Sequence, residues 1–303
     1  KNIIINLYYK EILQETNTIQ PNSRNYLDVI IDLFKNNIID YKLLTPSVMK
    51  YIQNNSIGPM LSGLFFRASI MNPIIPYSLS THMNYKFKVL TPTLGWSSYL
   101  TGMLQNKNMI EYVGIDVIPK VCDTTRQLAL QNNLKNEIFC VPSEDLYTNK
   151  SFMTKYTNYF DFIFFSPPYY ELELYKGEEQ STNRYENYEE WLEKYWRTTI
   201  KLCKKCIKKD RLLIYILSGY KLKNNYINLE EDMNNITKEE GFLFIDGINM
   251  VGSNVNFTKH RTSKEIIWIF SSGSKINIKN IKNMTKCNLL NIYKKNINKQ
   301  IIF

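Results

Sequence analysis

Phe160-Asp161-Phe162-Ile163-Phe164-Phe165-Ser166-Pro167-Pro168-Tyr169-Tyr170 is the stretch whose reading decides the fold. Its first half is short, almost wholly apolar and rich in aromatics, the pattern of a parallel strand buried on both faces. The run stops at two prolines, which lack the N–H that a ladder needs. Ser166 is therefore expected at the carboxyl end of a central strand, where open α/β sheets place their ligands. A small polar acceptor, a stiff elbow and two tyrosines suit a grip on a flat, polar ring. By itself Ser-Pro-Pro reads as no more than a strand ending in a turn, and the upstream chain decides between the two.

Upstream, Phe87-Lys88-Val89-Leu90 reads as a short strand, and Thr91-Pro92-Thr93-Leu94-Gly95-Trp96-Ser97-Ser98 as the small-residue turn before a helix that starts at Tyr99. Strand, tight turn and helix together bring backbone N–H groups close to a nucleotide-like ligand. With one glycine in the turn the signature is weak alone. Glu111-Tyr112-Val113-Gly114-Ile115-Asp116 is a second strand ending in an acid. Asp116 lies 25 residues beyond Thr91, close to where a dinucleotide fold places the carboxylate that binds ribose hydroxyls. A helix over residues 121–132 follows, then a third strand, Glu137-Ile138-Phe139-Cys140-Val141, which ends in Pro142-Ser143-Glu144-Asp145. That acidic turn reads either as a contact to an adenine amino group or as a solvated loop or helix cap.

In this order the parts resemble the S-adenosylmethionine-dependent DNA amino-methyltransferases, over residues 90–270. Ser166-Pro167-Pro168-Tyr169 is similar to their Asp/Asn/Ser-Pro-Pro-aromatic motif, and residues 91–97 stand in the place of their D-P-F-x-G-x-G cofactor loop. The cofactor loop precedes the catalytic motif by 75 residues, an order that excludes the circularly permuted members. The resemblance implies an α/β, Rossmann-like methyltransferase fold: a mostly parallel seven-stranded sheet with a terminal antiparallel hairpin, plus a helical N-terminal region. It implies S-adenosylmethionine as cofactor, bound by Thr91, Pro92, Thr93, Gly95, Trp96, Ser97, Asp116, Ser143 and Glu144. It assigns catalysis to Ser166, Pro167, Pro168 and Tyr169, and makes DNA the substrate. In the family, Ser at the first motif position is commoner among cytosine-N4 enzymes, which favours that base over adenine N6.

Two positions depart from the pattern. Thr91 replaces the usual Asp at the head of the loop, exchanging a charge for a hydroxyl. Ser97 replaces the second glycine, adding a Cβ where backbone approaches the methionine moiety. The rival reading is therefore a methyltransferase-fold protein that no longer catalyses and serves as a structural or accessory subunit.

Methyl transfer from a sulfonium to an amine needs positioning more than a strong base. The Ser166 hydroxyl and the Pro167 carbonyl would accept the two amine hydrogens and free the nitrogen pair from the ring, stabilisation aimed at the developing charge. Tyr169 would stack on a base that has left the duplex. Tyr170, and Lys259, His260 and Arg261 in a basic loop, are the candidates for nucleic-acid contact.

The remaining chain gives less. Residues 1–85 read as a mostly helical region, 86–272 as the methyltransferase domain and 273–303 as a basic tail. Within the first, Tyr26, Ile30, Ile31 and Phe34 mark a helix that Ser23 can cap, and residues 54–76 are broken by Gly and Pro. Phe65-Phe66-Arg67 reads as a helix end on the core or a pocket wall facing an anion. Residues 171–187 are polar and irregular, the composition of a mobile gate over the substrate groove. From Tyr188, Leu192, Tyr195, Trp196, Thr199, Cys203 and Cys206 trace one apolar helix face, so Cys203 and Cys206 read as core rather than a metal site. Strands are expected over 212–217, 242–245 and 266–270, and a helix over 229–240.

The net charge of +10 and 38 basic residues favour a polyanionic partner. Only seven of the basic residues are Arg, however, and an AT-rich coding sequence, such as that of a large DNA virus, would also enrich Lys, Asn and Ile. The tail, with seven lysines and no acid, reads as a solvated segment or as an arm for nucleic acid or a protein partner. Five scattered cysteines and no membrane-length apolar run point to an intracellular, reducing compartment.

Overall fold

The computed structural model describes residues 16–17, 70–171, 174–175, 177, 179–222, 225–250, 265–274 and 276. The helix around Ser23, Phe65-Phe66-Arg67, the basic loop with Lys259, His260 and Arg261, and the tail beyond 276 lie outside the described residues.

The elements are β1 (Thr16–Asn17), α1 (Ile74–Ser80), β2 (Phe87–Thr91), α2 (Ser98–Met103), β3 (Met109–Asp116), α3 (Pro119–Gln131) and β4 (Lys135–Cys140). A 3-10 turn, Glu144–Tyr147, leads to α4 (Lys150–Tyr156), β5 (Phe160–Phe165), β6 (Leu174–Tyr175) and α5 (Ser181–Arg184). A helical rod follows in three pieces: α6 (Tyr188–Glu190), a π-helical stretch Trp191–Arg197, and α7 (Thr198–Cys206). The chain continues through β7 (Ile207–Leu217), β8 (Tyr220–Leu222), β9 (Asn225–Ile227), α8 (Leu229–Glu239), β10 (Leu243–Asn249) and β11 (Ile266–Ser271).

Seven strands form one sheet in the order β10-β11-β7-β5-β2-β3-β4. β4, β3, β2, β5 and β7 run parallel, and β11 is antiparallel to both β7 and β10. This is the Rossmann-like methyltransferase arrangement expected from the sequence, terminal hairpin included. Every residue of β5 is buried, because helices cover both of its faces. Tyr99 of α2 meets Phe164 edge-on at 5.1 Å, while Trp196 of the π stretch lies 5.8 Å from Phe165 on the opposite face. The edge strand β10 has no such cover, and its Leu243 and Phe244 are exposed.

The chain leaves β2 for β3 and β4 on one side, then returns past β2 to β5 on the other. The carboxyl ends of β2 and β5 are therefore neighbours at a switch point, which opens a crevice between them.

Three local expectations need correction. Residues 74–80 begin a helix rather than closing a broken segment; Pro76 sits in its first turn, where the missing N–H has no intrahelical partner to lose. Residues 171–187 are not wholly irregular. They contain β6, paired with β1, and α5, whose Arg184 is ion-paired to Glu144 and Asp145. The charge of Arg184 is spent on those pairs. The long helix from Tyr188 contains a π-helical segment, which the three- and four-residue spacing did not announce. Among the described residues no helix is long and apolar enough to cross a membrane.

Candidate active site

The loop after β2 turns sharply. Gly95, Trp96 and Ser97 hold φ of 52°, 55° and 60°, three successive left-handed residues. A Cβ on Gly95 would lie 2.2 Å from the Tyr99 ring, so glycine is required there on both counts. For Trp96 and Ser97 the conformation is disfavoured by roughly 1–2 kcal/mol each, so their surroundings must hold them. Trp96 packs on the Tyr175 ring at 6.0 Å. The Ser97 hydroxyl meets Thr125 Oγ1 of α3 at 2.6 Å.

This loop is bolted to the elbow after β5. Thr93 Oγ1 donates to the Ser166 carbonyl at 3.0 Å, and Ser166 N–H donates to Tyr99 Oη, also at 3.0 Å. Residues 73 positions apart in the chain thus fix one another's backbone. The Ser166 hydroxyl donates its own proton to the Ile216 carbonyl of β7 at 3.2 Å. Its oxygen lone pairs are left to accept. At the carboxyl end of β7, next to this contact, the buried Ser218 Oγ has no hydrogen-bond partner.

At the end of β3, Asp116 Oδ2 accepts from Leu94 N–H at 3.0 Å, and Oδ1 from Ile118 N–H at 3.1 Å. Burial pushes this carboxyl above its ordinary range, and the N–H bonds of Leu94, Ile118 and Val117 oppose the rise. A carboxylate has about four acceptor positions, so with three N–H groups bound it retains capacity for one hydroxyl more. At the end of β4, Ser143 Oγ meets Thr199 Oγ1 of α7 at 2.9 Å. Glu144 is buried, which raises its carboxyl pKa against the pull of Tyr185 and Arg184. Its Oε1 accepts from Arg184 at 3.0 Å and from Tyr185 Oη at 2.9 Å. Beside this turn a cavity of about 340 Å³ is lined by Val117, Cys140, Val141, Pro142, Asp145 and Leu146 among others.

The structure therefore gathers Thr91, Pro92, Thr93, Gly95, Trp96, Ser97, Asp116, Ser143, Glu144, Ser166 and the two prolines at the carboxyl ends of four parallel strands. Two of them face away from the crevice. The Thr91 hydroxyl is fully buried and donates to Tyr112 Oη at 2.7 Å, and Ser97 turns to α3. Tyr169 is 5% exposed. Tyr170 is in the left-handed region at φ 45°, which turns its ring inward between Tyr188 and Trp191 at 5.2 and 5.5 Å. Tyr170, expected as a nucleic-acid contact, is thus buried in this packing at 8% exposure. Tyr99, Arg184, Tyr185, Tyr195 and Ser218 belong to the site without having been singled out for it. Helical or strand periodicity marks such residues as core, and nothing in the pattern distinguishes an inward phenol from an inward Phe.

The site suits a nucleoside bearing a sulfonium. Asp116 offers a remaining acceptor position for a ribose hydroxyl, and the Gly95 bend brings backbone close. The buried Ser98 Oγ at the head of α2 and Tyr195 Oη near Glu144 lack partners among the described residues. Such orphans are what a bound polar molecule would satisfy.

No protein-family model matches the sequence, and comparison with curated proteins gives no match either. Among solved structures the chain is similar to a TehB-like SAM-dependent methyltransferase from Corynebacterium glutamicum, at 12% identity over 75% of this chain and 99% of that one, TM-score 0.42. It is similar to a methyltransferase from Pyrococcus furiosus at 15% identity, over 67% of this chain and 83% of that one, TM-score 0.42. Spermidine synthase from Thermotoga maritima aligns at 16% identity over 76% of this chain and 64% of that one, TM-score 0.40. These likenesses are of fold alone.

Proposed function

We propose that the chain is an S-adenosylmethionine-dependent methyltransferase acting on the exocyclic amine of a base flipped out of DNA, cytosine N4 ahead of adenine N6. The observation that carries the reading is the joining of the Thr93 loop to the Ser166 elbow through two 3.0 Å hydrogen bonds at the switch point. A methyl donor seated on the first and an amine gripped by the second are thereby held in fixed relation, which is most of what this reaction asks of a protein.

When bound, the cofactor supplies an electrophilic methyl group on a sulfonium. Asp116 holds a ribose hydroxyl and at the same time anchors Leu94, so the loop and the sugar are positioned by one carboxylate. Ser166, its proton committed to Ile216, accepts one amine hydrogen. The Pro167 carbonyl accepts the other. Both contacts draw the amine nitrogen out of conjugation, and they strengthen as its positive charge develops. The base stacks on Tyr169, whose ring is covered in this structure, so entry requires a rearrangement that uncovers it. Arg184 and Tyr185 of the following segment are bonded to Glu144, and release of those bonds would let that segment serve as the gate. The charge of +10 supports a polyanionic substrate, with the basic loop and the tail as its contacts.

A second reading, an accessory subunit without catalysis, rests on Thr91 and Ser97. Both hydroxyls are built into the core and brace the loop, which favours the enzyme. Incubation with labelled S-adenosylmethionine and unmethylated DNA tests the proposal: label should enter DNA, and nucleoside mass spectrometry should find N4-methylcytosine. Label entering no DNA from a folded protein would overturn it, and calorimetry showing no cofactor binding would favour the accessory role. Ser166→Ala should lower kcat by about 100-fold or more, the effect of losing one preorganised partner of a developing charge, with cofactor affinity unchanged.

A further inference from the structure

Tyr195 lies on the helix face that the sequence marks as core, and the structure buries it to 4% exposure. Its Oη nevertheless has no hydrogen-bond partner among the described residues. A phenol placed that deep finds one in almost every native protein, because an unpaired buried hydroxyl is destabilising. The residue belongs to the π-helical stretch Trp191–Arg197, a rare geometry that is found frequently at functional sites. Two unfavourable features thus coincide at one side chain.

Its direction is fixed by its neighbours. Thr199, four residues on and on the same helix face, bonds Ser143 Oγ at 2.9 Å in the turn after β4. Helical side chains lean toward the N-terminus, so Tyr195 overhangs the same turn one step further out. Glu144, Cys203, Asp116 and Tyr185 lie near enough to act on it electrostatically. None of them takes its hydrogen. Burial, with the charges of the two carboxylates, pushes the phenol pKa well up, so the group is a donor throughout the physiological range.

We propose that Tyr195 is a ligand-binding residue whose O–H donates to a ring nitrogen of a purine held between the Asp116 and Glu144 turns. This deepens the preceding assignment and rests on it. The complementarity follows from donor and acceptor types. Ribose hydroxyls, as donors, are matched by Asp116, whereas the acceptors in that half of the cofactor are the purine ring nitrogens, and Tyr195 is the unspent donor facing them.

The test uses the full chain, with S-adenosylhomocysteine and its 1-, 3- and 7-deaza purine analogues as calorimetric probes. In the unaltered protein one deaza analogue should bind about 5–10-fold more weakly than the parent, the effect of one neutral hydrogen bond. Tyr195→Phe should weaken the parent by the same factor and lose the discrimination against that analogue. Its melting temperature without ligand should be equal to or above that of the unaltered chain, since an unpaired hydroxyl has gone. A variant that binds the parent as tightly as before overturns the inference and leaves the proposed function standing. A variant that melts several degrees lower shows a structural partner for Oη and also overturns it. An unaltered chain that binds neither S-adenosylhomocysteine nor S-adenosylmethionine overturns both readings together.

Discussion

The two ends of the central sheet are built to different rules. At the amino end the buried charges are answered. Asp161 of β5 accepts from Lys208 at 2.7 Å, Arg211 at 3.5 Å and Lys88 N–H at 3.0 Å, and Glu111 of β3 is paired with Lys135 at 2.9 Å and Tyr159 Oη at 2.9 Å. The left-handed residues there are Asn133, Asn158 and Asp210, types that tolerate that region. At the carboxyl end the left-handed residues include Trp96, Ser97 and Tyr170, and the buried hydroxyls of Ser98, Tyr195 and Ser218 lack partners among the described residues. His82 Nδ1, just ahead of β2, is the exception at the amino end. A domain that concentrates strained residues and unmet hydroxyls at one end has the marks of reserving that end for a ligand.

The comparison can be broken or sharpened by substitution, beginning with the largest expected effect on stability. Gly95→Ala sets a methyl group against the Tyr99 ring at a positive φ, and should destabilise by about 3 kcal/mol or rearrange the loop. Calorimetric loss of cofactor binding should accompany it; unchanged binding and melting would show that the bend is not needed. Asp161→Ala strips the partner from Lys208 and Arg211 and the acceptor from Lys88 N–H. Because both basic groups are about a third exposed, the loss should be about 2 kcal/mol by chemical denaturation, below that of a fully buried pair. Cofactor affinity should not change, which is the amino-end signature.

Tyr99→Phe removes the acceptor of Ser166 N–H and should lower stability by about 1 kcal/mol. Its larger effect should be on kcat, since the loop and elbow lose one of their two links. Ser218→Ala removes an orphaned hydroxyl, so denaturation should show a change within about 0.5 kcal/mol and no loss of cofactor binding. A loss above 2 kcal/mol would give Ser218 a structural partner and weaken the contrast between the two ends.

Much of the fold was legible because its strands carry their own signal. Phe160–Phe165 is apolar throughout and ends at prolines, and the strand begins and ends where that pattern places it. The acid at the end of β3 and the acidic turn after β4 are likewise local features. The gate was read as irregular because its charges look solvated in sequence, whereas Arg184 is held by carboxylates 40 and 39 residues away. The side to which the Tyr170 ring turns was not legible, because aromatic residues after an elbow have no periodicity to orient them; its left-handed backbone sets it between Tyr188 and Trp191.

The sequence by itself determined which strands form the central sheet, and the chemical types at their carboxyl ends, since burial, alternation and chain breakers act over a few residues. Only the tertiary structure decided what each polar group faces. Thr91 and Ser97 stand in the sequence as losses from a cofactor loop, yet in the fold their hydroxyls brace it through Tyr112 and Thr125. Tyr195 stands in the sequence as one more apolar position, yet in the fold it is a buried donor without an acceptor. Hydrogen bonds are made between residues distant in the chain, and whether one is made or left open is fixed only when the layers close.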